Sequence, residues 1–382
     1  MVRFHGFDGL RGWLAWAVVA HHLTFFTGLQ RRSSHLSVLE WIGSSAVTIF
    51  IFLSGFVITH LIIERPEPYR VYIARRLLRV YPIYLVALGL ACVTTLLTFD
   101  TFLSTPAQTV FIHPQLFMVA RDAEQLHGWG ALAHLGLHLA LLHGAIPTTV
   151  LPDSQFMFLA PAWSLSLEFQ FYLVAPLVIW AACRKLPSIL IALAAMVLFQ
   201  LAVRGAFGAF VLPSFLPAAA PYFAIGIVSR LLLPHQQSRG SPIALAILLA
   251  GYLWGHKISV WLPLAWAAFL LTSLKFGQPE AANNMASRAF RAVFDSRLAN
   301  HLGKPSYSTY LLHMPMIQLA QFLAVRWLGQ DIFAANAFVV IWTVVSTYGL
   351  SQLAYRWIET PSIEAGRRLG RNSRRLTTAI VR

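Results

Sequence analysis

Arg11 and His22 stand eleven residues apart at the start of an otherwise apolar run. At about 100° per residue, that spacing is three helical turns plus roughly 20°. On a helix the two side chains therefore share one face, about 16 Å apart along the axis. His21 points about 80° to the side of that stripe. A cation at the mouth of a site and an imidazole deeper within suit a ligand with an anionic end and a reactive end. The guanidinium is a bidentate partner for phosphate. The imidazole is suited to take a proton from a hydroxyl as it attacks an activated carbonyl such as a thioester.

Other candidates lie further along the chain. Glu168 closes Trp163-Ser164-Leu165-Ser166-Leu167-Glu168, with Phe171 and Tyr172 following. It is placed to orient a histidine or to bind an acceptor hydroxyl. Its plainer use is a carboxylate meeting a helix N-terminus. His313 follows Gly303-Lys304-Pro305-Ser306-Tyr307-Ser308-Thr309-Tyr310. It falls about 12 Å into the helix counted from Pro305, so it reaches the depth of His22. The run of serine and tyrosine before it points to a lined cavity rather than lipid. Arg75, Arg76 and Arg79 read as an inner loop before Tyr81-Pro82, with Arg75 and Arg79 at the i, i+4 spacing. They are suited either to phosphate or to fixing topology against anionic lipid.

Several patterns carry less. His134 and His138 have the i, i+4 spacing of metal ligands, with His143 nearby. No His-Glu-x-x-His pattern accompanies them, and no metal is expected. Cys92 and Cys183 both fall in apolar runs and suggest neither a disulfide framework nor a zinc site. No glycine-rich phosphate loop or Gly-x-Ser-x-Gly elbow is present, and Gly55 is expected to ease close helix packing.

The elements that position these residues are membrane helices. Of 382 residues, 57% are apolar and 11% charged, against roughly 25% charged in soluble domains. Apolar runs long enough to span begin near Trp13, Trp41, Leu77, Ala162, Ser188, Phe210, Ser241, Ile258, Pro305 and Phe333. The last-but-two follows a tight hairpin at Gly255-His256-Lys257. With the N-terminus inside, 23 of the 29 lysines and arginines fall on the inner side and 6 on the outer. The positive-inside rule therefore places both termini in the cytoplasm. The net charge of +15 follows this alternation, which argues against a nucleic-acid partner. The apolar segment from Trp129 to Ile146 would reverse every later helix if it crossed. It reads instead as an interfacial or re-entrant helix within a long outer segment between residues 100 and 160. The expected fold class is thus an all-α integral membrane bundle of about ten helices. Residues 1–361 form the membrane domain, and residues 362–382 form a basic cytoplasmic tail, solvated or at the membrane surface. Arg3 to Arg11 lead straight into the first apolar run without a small-residue cleavage site, so that helix should be retained.

Six stretches in order carry a resemblance. They are Phe7-Asp8-Gly9-Leu10-Arg11 with His22, Phe50-Ile51-Phe52-Leu53-Ser54-Gly55-Phe56-Val57-Ile58-Thr59, and Arg75-Arg76-Leu77-Leu78-Arg79-Val80-Tyr81-Pro82. Then come Trp163 to Glu168, Ser306-Tyr307 with Tyr310 to Pro315, and Tyr355-Arg356-Trp357-Ile358-Glu359-Thr360-Pro361. Over nearly its whole length the chain resembles the bacterial membrane acyltransferase family three, whose members O-acylate sugars and some natural products. The resemblance implies a ten-helix bundle in the bacterial inner membrane. It also implies acyl-CoA, often acetyl-CoA, as a co-substrate without a tightly bound cofactor. The acceptor would be a hydroxyl of a sugar, glycan or glycolipid, or of a secreted natural product such as a macrolide. Arg11 and His22 match the family's essential pair, Arg76 and Arg79 its Arg-x-x-Arg feature, and Glu168 its glutamate. Arg75 joins them as a candidate donor contact, and His313 joins His22 and Glu168 as a candidate catalytic residue. Thr48 stands where many members carry an acid, which bears on the acceptor. A glycolipid transporter or flippase is the rival of a different class. Transporters tend to show paired broken helices in related halves, and no such repeat is evident. A scaffold binding a partner enzyme is a third reading, which the stacked motifs disfavour.

Overall fold

The computed structural model describes residues 4–29, 37–104, 128–184, 188–233, 261–277, 284–328 and 331–380. Among them there is no strand, in keeping with a chain that must satisfy its backbone within lipid. The helices are α1 Phe7–Phe26, α2 Ser37–Glu64, α3 Tyr69–Ser104, α4 Trp129–Leu139, α5 Trp163–Arg184, α6 Ser188–Val203 and α7 Leu216–Leu231. They continue as α8 Trp261–Phe276, α9 Met285–Phe294, α10 Arg297–Gly303, α11 Ser306–Leu328, α12 Ile332–Ala354 and α13 Thr360–Ile380. Four stretches of the described residues are long and apolar enough to cross a membrane: Trp41–Glu64, Tyr69–Thr98, Ala160–Cys183 and Ile332–Arg371. Ile189–Val203, Leu216–Leu231 and Trp261–Phe276 are shorter apolar helices. The span expected from Ser241 and the hairpin at Gly255-His256-Lys257 lie outside the described residues.

Two expectations are corrected. Arg75, Arg76 and Arg79 are not on a loop: α3 starts at Tyr69, just after Pro66 and Pro68, and runs through Pro82. The prolines end α2 and leave the next turn free to begin a helix. The run expected to open near Phe210 becomes helical only at Leu216, after turns in which the Phe210 and Phe215 rings stack 5.3 Å apart. The basic stretch after Ser362 is helical as far as Ile380, and α13 rests Gly366 and Gly370 on the Arg75 side chain.

The helix α4 has 11 residues, about 16 Å at 1.5 Å per residue, too short to cross the hydrocarbon. This helix and the segment after it pack into the bundle. Tyr81 and Tyr84 of α3 donate to the carbonyls of Leu139 (2.6 Å) and His138 (2.9 Å). Ser166 of α5 donates to the Leu141 carbonyl at 2.7 Å and accepts from the Gly144 amide at 3.1 Å. His134, His138 and His143 are buried in this segment, and the His138 and His143 rings stack at 4.0 Å. His138 turns Nδ1 back on the His134 carbonyl at 2.8 Å.

Burial holds His138 down at about 4 and His143 well below its ordinary value, the latter also because His138 lies beside it. Both are neutral at pH 7. In an opened segment they titrate near 6.5. Between about 6.5 and 4 the opened form binds more protons, so the closed segment loses stability as pH falls. Hydrogen-exchange protection of residues 134–145, corrected for intrinsic rates, should fall by up to about tenfold per pH unit for each histidine across that window. The slope should be shallower in His138→Phe.

The bundle also depends on close helix contact. A Cβ on Gly55 would stand 2.5 Å from the Phe223 carbonyl oxygen, so α2 and α7 touch backbone to backbone. Gly55→Ala should therefore destabilise the protein by about 1–3 kcal/mol through overpacking. Gly89→Ala in α3, with nothing within 4 Å of the added carbon, should be neutral or stabilising by about 0.5–1 kcal/mol. Thermal unfolding in detergent checks both.

Candidate active site

Six helices converge on one cavity of about 260 Å³, with α7 contributing Phe223. One face of α2 supplies its apolar side: Val47, Phe50, Ile51, Ser54, Val57, Ile58 and Leu61 all line it. The steps of three and four residues keep this face aligned. From Val47 to Leu61 it extends about 21 Å, at 1.5 Å per residue. Helix α5 contributes Ser164, Glu168 and Tyr172, each four residues on from the last. Helix α3 contributes Arg76 and Arg79, α1 contributes Arg11, and α11 contributes Ser306, Tyr307 and Tyr310.

The order along the cavity follows from side-chain contacts. At one end Arg76 lies over the rings of Tyr172 and Tyr72, 6.0 Å from each centroid. In the middle Glu168 accepts a hydrogen bond from Ser54 at 2.7 Å. At the other end Tyr310 meets Phe50, ring to ring at 6.0 Å, and its hydroxyl is 2.8 Å from Ser164 Oγ. Three arginines, Arg11, Arg76 and Arg79, thus share the cavity with one carboxylate, Glu168. Arg11 also reaches Asp8 at 3.5 Å. Arg76 Nε is buried with no protein partner among the described residues. Buried cations in excess of anions are expensive, and an anionic ligand is the ordinary remedy.

Arg75 is not part of this cluster. Its Nη1 lies 2.6 Å from Glu67 Oε2, outside the cavity. The i, i+4 spacing with Arg79 put both on one face, but the ion pair draws Arg75 toward Glu67. Thr48 does not line the cavity either; its hydroxyl donates at 3.4 Å to the Ser44 carbonyl of its own helix.

The histidines form a second centre. His313 Nε2 and His22 Nδ1 are 2.9 Å apart, with ring centroids at 5.0 Å. The depth estimate from Pro305 therefore brought the right two residues together. Neither lines the cavity; Tyr310, which does, has its ring 6.0 Å from the His313 ring. The partner of His22 is thus His313 rather than Glu168. Glu168 has Ser54 as its hydrogen-bond partner and sits among the arginines. Ser54, Tyr310 and Ser164 were not singled out from the sequence. The signal was available as the four-residue step from Ser164 to Glu168 to Tyr172, and as a lone hydroxyl at Ser54 on an otherwise apolar stripe.

Comparisons with known proteins bear on this arrangement. The sequence model of a family described as an acyltransferase domain matches residues 4–356. Acyltransferase MdmB of Streptomyces mycarofaciens is 30% identical over 191 residues, 49% of this chain and 42% of that protein. Protein 2 in the picA locus of Rhizobium radiobacter is 30% identical over 167 residues, 43% of this chain and 75% of that protein. The matched region is thus less than half the length of MdmB. No solved structure matches the chain.

The cavity's charge predicts an anion effect. Inorganic pyrophosphate should raise the thermal unfolding midpoint of the detergent-solubilised protein. The stabilisation is about 2.7 kcal/mol at a hundred times the dissociation constant. Arg76→Gln should remove most of the rise. Arg75→Gln should keep it, because Arg75 serves Glu67 instead.

Proposed function

The chain belongs to the family of that acyltransferase-domain model, and on this premise we propose that it is a membrane-embedded O-acyltransferase using acyl-CoA. The observation that carries the reading is one cavity with arginines along it and a hydroxyl-lined end, and a histidine pair beside that end. The donor's phosphates bind Arg11, Arg76 and Arg79 from the cytoplasm. The thioester lies toward Ser164 and Tyr310. The apolar face of α2, about 21 Å long, suits an extended chain between them. Glu168 offsets one of the positive charges and holds its position through Ser54.

His22 is the general base. Its Nδ1 is occupied by His313, so Nε2 must face the acceptor hydroxyl. For Nε2 to accept a proton, Nδ1 must carry the other and donate it to His313 Nε2. That contact sets the tautomer and steadies the imidazolium formed as the hydroxyl attacks. The oxygen bonds to the acyl carbon, the carbon–sulfur bond breaks, and the thiolate leaves. The acyl group is acetyl, and the acceptor is a hydroxyl of a sugar, glycan or glycolipid at or across the membrane. The chain lies in the bacterial inner membrane with ten spans and both termini cytoplasmic. The uneven distribution of lysine and arginine supports this orientation.

Radiolabelled acetyl-CoA supplied to the protein in its own membranes tests the reading. His22→Ala should lower label transfer to membrane glycans by about 10²–10⁴-fold. Transfer at the wild-type rate would remove His22 from the mechanism. His313→Ala should cost less, with its loss mainly in the turnover number rather than in donor KM.

A further inference from the structure

The histidine pair lies outside the cavity, yet one cavity-lining side chain reaches it. Tyr310 lines the cavity on one side and faces the His313 ring at 6.0 Å on the other. It is one turn before His313 on α11, so its place follows from the helix itself. Its hydroxyl is latched: it donates to the Pro161 carbonyl at 3.0 Å and lies 2.8 Å from Ser164 Oγ. Ser164 Oγ also reaches the Pro161 carbonyl at 3.1 Å. Pro161 belongs to the short 3-10 turn Ala160–Ala162, which leads out of the irregular segment into α5. A thioester entering along the arginines therefore meets a phenol ring and not an imidazole.

We infer that Tyr310 is the residue that makes this site select an acceptor hydroxyl over water, by screening the donor thioester from His22 until an acceptor displaces its ring. The inference rests on the acyltransferase reading above. A bulky acceptor has remote contacts whose binding energy can open the latch, whereas water has none. The latch suits such an exchange. An incoming hydroxyl can replace Ser164 and Pro161 as partner of the phenol, so opening leaves no polar atom stranded. With the ring aside, His22 and the thioester share one space.

The side reaction that the screen suppresses is donor hydrolysis. Water's oxygen bonds to the acyl carbon, the carbon–sulfur bond breaks, and one water proton passes through His22 to the departing thiolate. The products are a free carboxylic acid and free coenzyme A thiol.

The test uses the full chain, purified in detergent, with acetyl-CoA and a thiol-reactive dye, and with no acceptor present. Tyr310→Phe keeps the ring and loses the latch. It should raise acceptor-independent thiol release about tenfold, the order expected for loss of buried hydrogen bonds. Tyr310→Ala removes the screen and should raise it further, while its label transfer to added cell membranes falls. His22→Ala combined with Tyr310→Phe should return thiol release to the wild-type level. Monodisperse Tyr310→Phe protein that releases thiol no faster than wild type, while wild type transfers label to membranes, would overturn the screening role and leave the acyltransferase reading intact. A wild-type protein that neither transfers nor releases acetyl groups would overturn both.

Discussion

A cavity that holds Arg11, Arg76 and Arg79 against one carboxylate, Glu168, is the most demanding feature of this bundle. Guanidinium groups withdrawn from water cost several kcal/mol each unless something compensates them. The surroundings supply part of that compensation. Arg76 is sandwiched near two tyrosine faces, which offer a cation the negative side of a ring. Arg11 has Asp8 one turn away. Ser54 fixes Glu168 among the cations. The remaining excess of positive charge is what the proposed anionic donor would offset.

That imbalance also explains why the histidines lie elsewhere. At low dielectric, a proton arriving beside three guanidinium groups would meet strong repulsion. With His22 and His313 outside the cavity that the arginines line, the proposed base would take its proton away from the cations and still lie near the far end of the proposed donor. Arg11 and His22 can serve both centres because α1 is a continuous helix from Phe7 to Phe26. The face they share was legible in the sequence, since an eleven-residue spacing has one geometric meaning on a helix.

Other features were legible only in part. The depth of His313 followed from counting along its helix, and Gly55 was read correctly as a point of close approach. The start of α3 was not, because a basic run next to a proline looks the same on a loop as on a helix that extends past the lipid. The destination of Arg75 depended on Glu67, whose pairing no local pattern reveals. Tyr310 has two roles, cavity wall and neighbour of the histidines, because three separate segments meet there. Periodicity describes one helix at a time, so a residue defined by such a meeting escapes it.

The closing stretch from Tyr355 to Pro361 shows how such a meeting is enforced. The family resemblance marked it as a motif without giving it a task. In the structure, Tyr355–Glu359 is a π-helical turn between α12 and α13. A π turn adds a residue to the helical repeat and so rotates the helix beyond it. Here it accompanies the burial of the Glu359 carboxylate at the start of α11, where that group accepts hydrogen bonds from the Ser308 amide (3.1 Å) and from the Ser308 hydroxyl. A carboxylate at a helix N-terminus satisfies free amides and favours the helix dipole. The consequence is positional. Ser308 lies one residue after Tyr307, two before Tyr310 and five before His313, all on the helix that Glu359 anchors. Fixing the rotation and height of α11 at its first turn fixes the cavity wall and the histidine contact together. The 2.9 Å distance between His313 and His22 tolerates little slack, and a frayed first turn would loosen both centres at once.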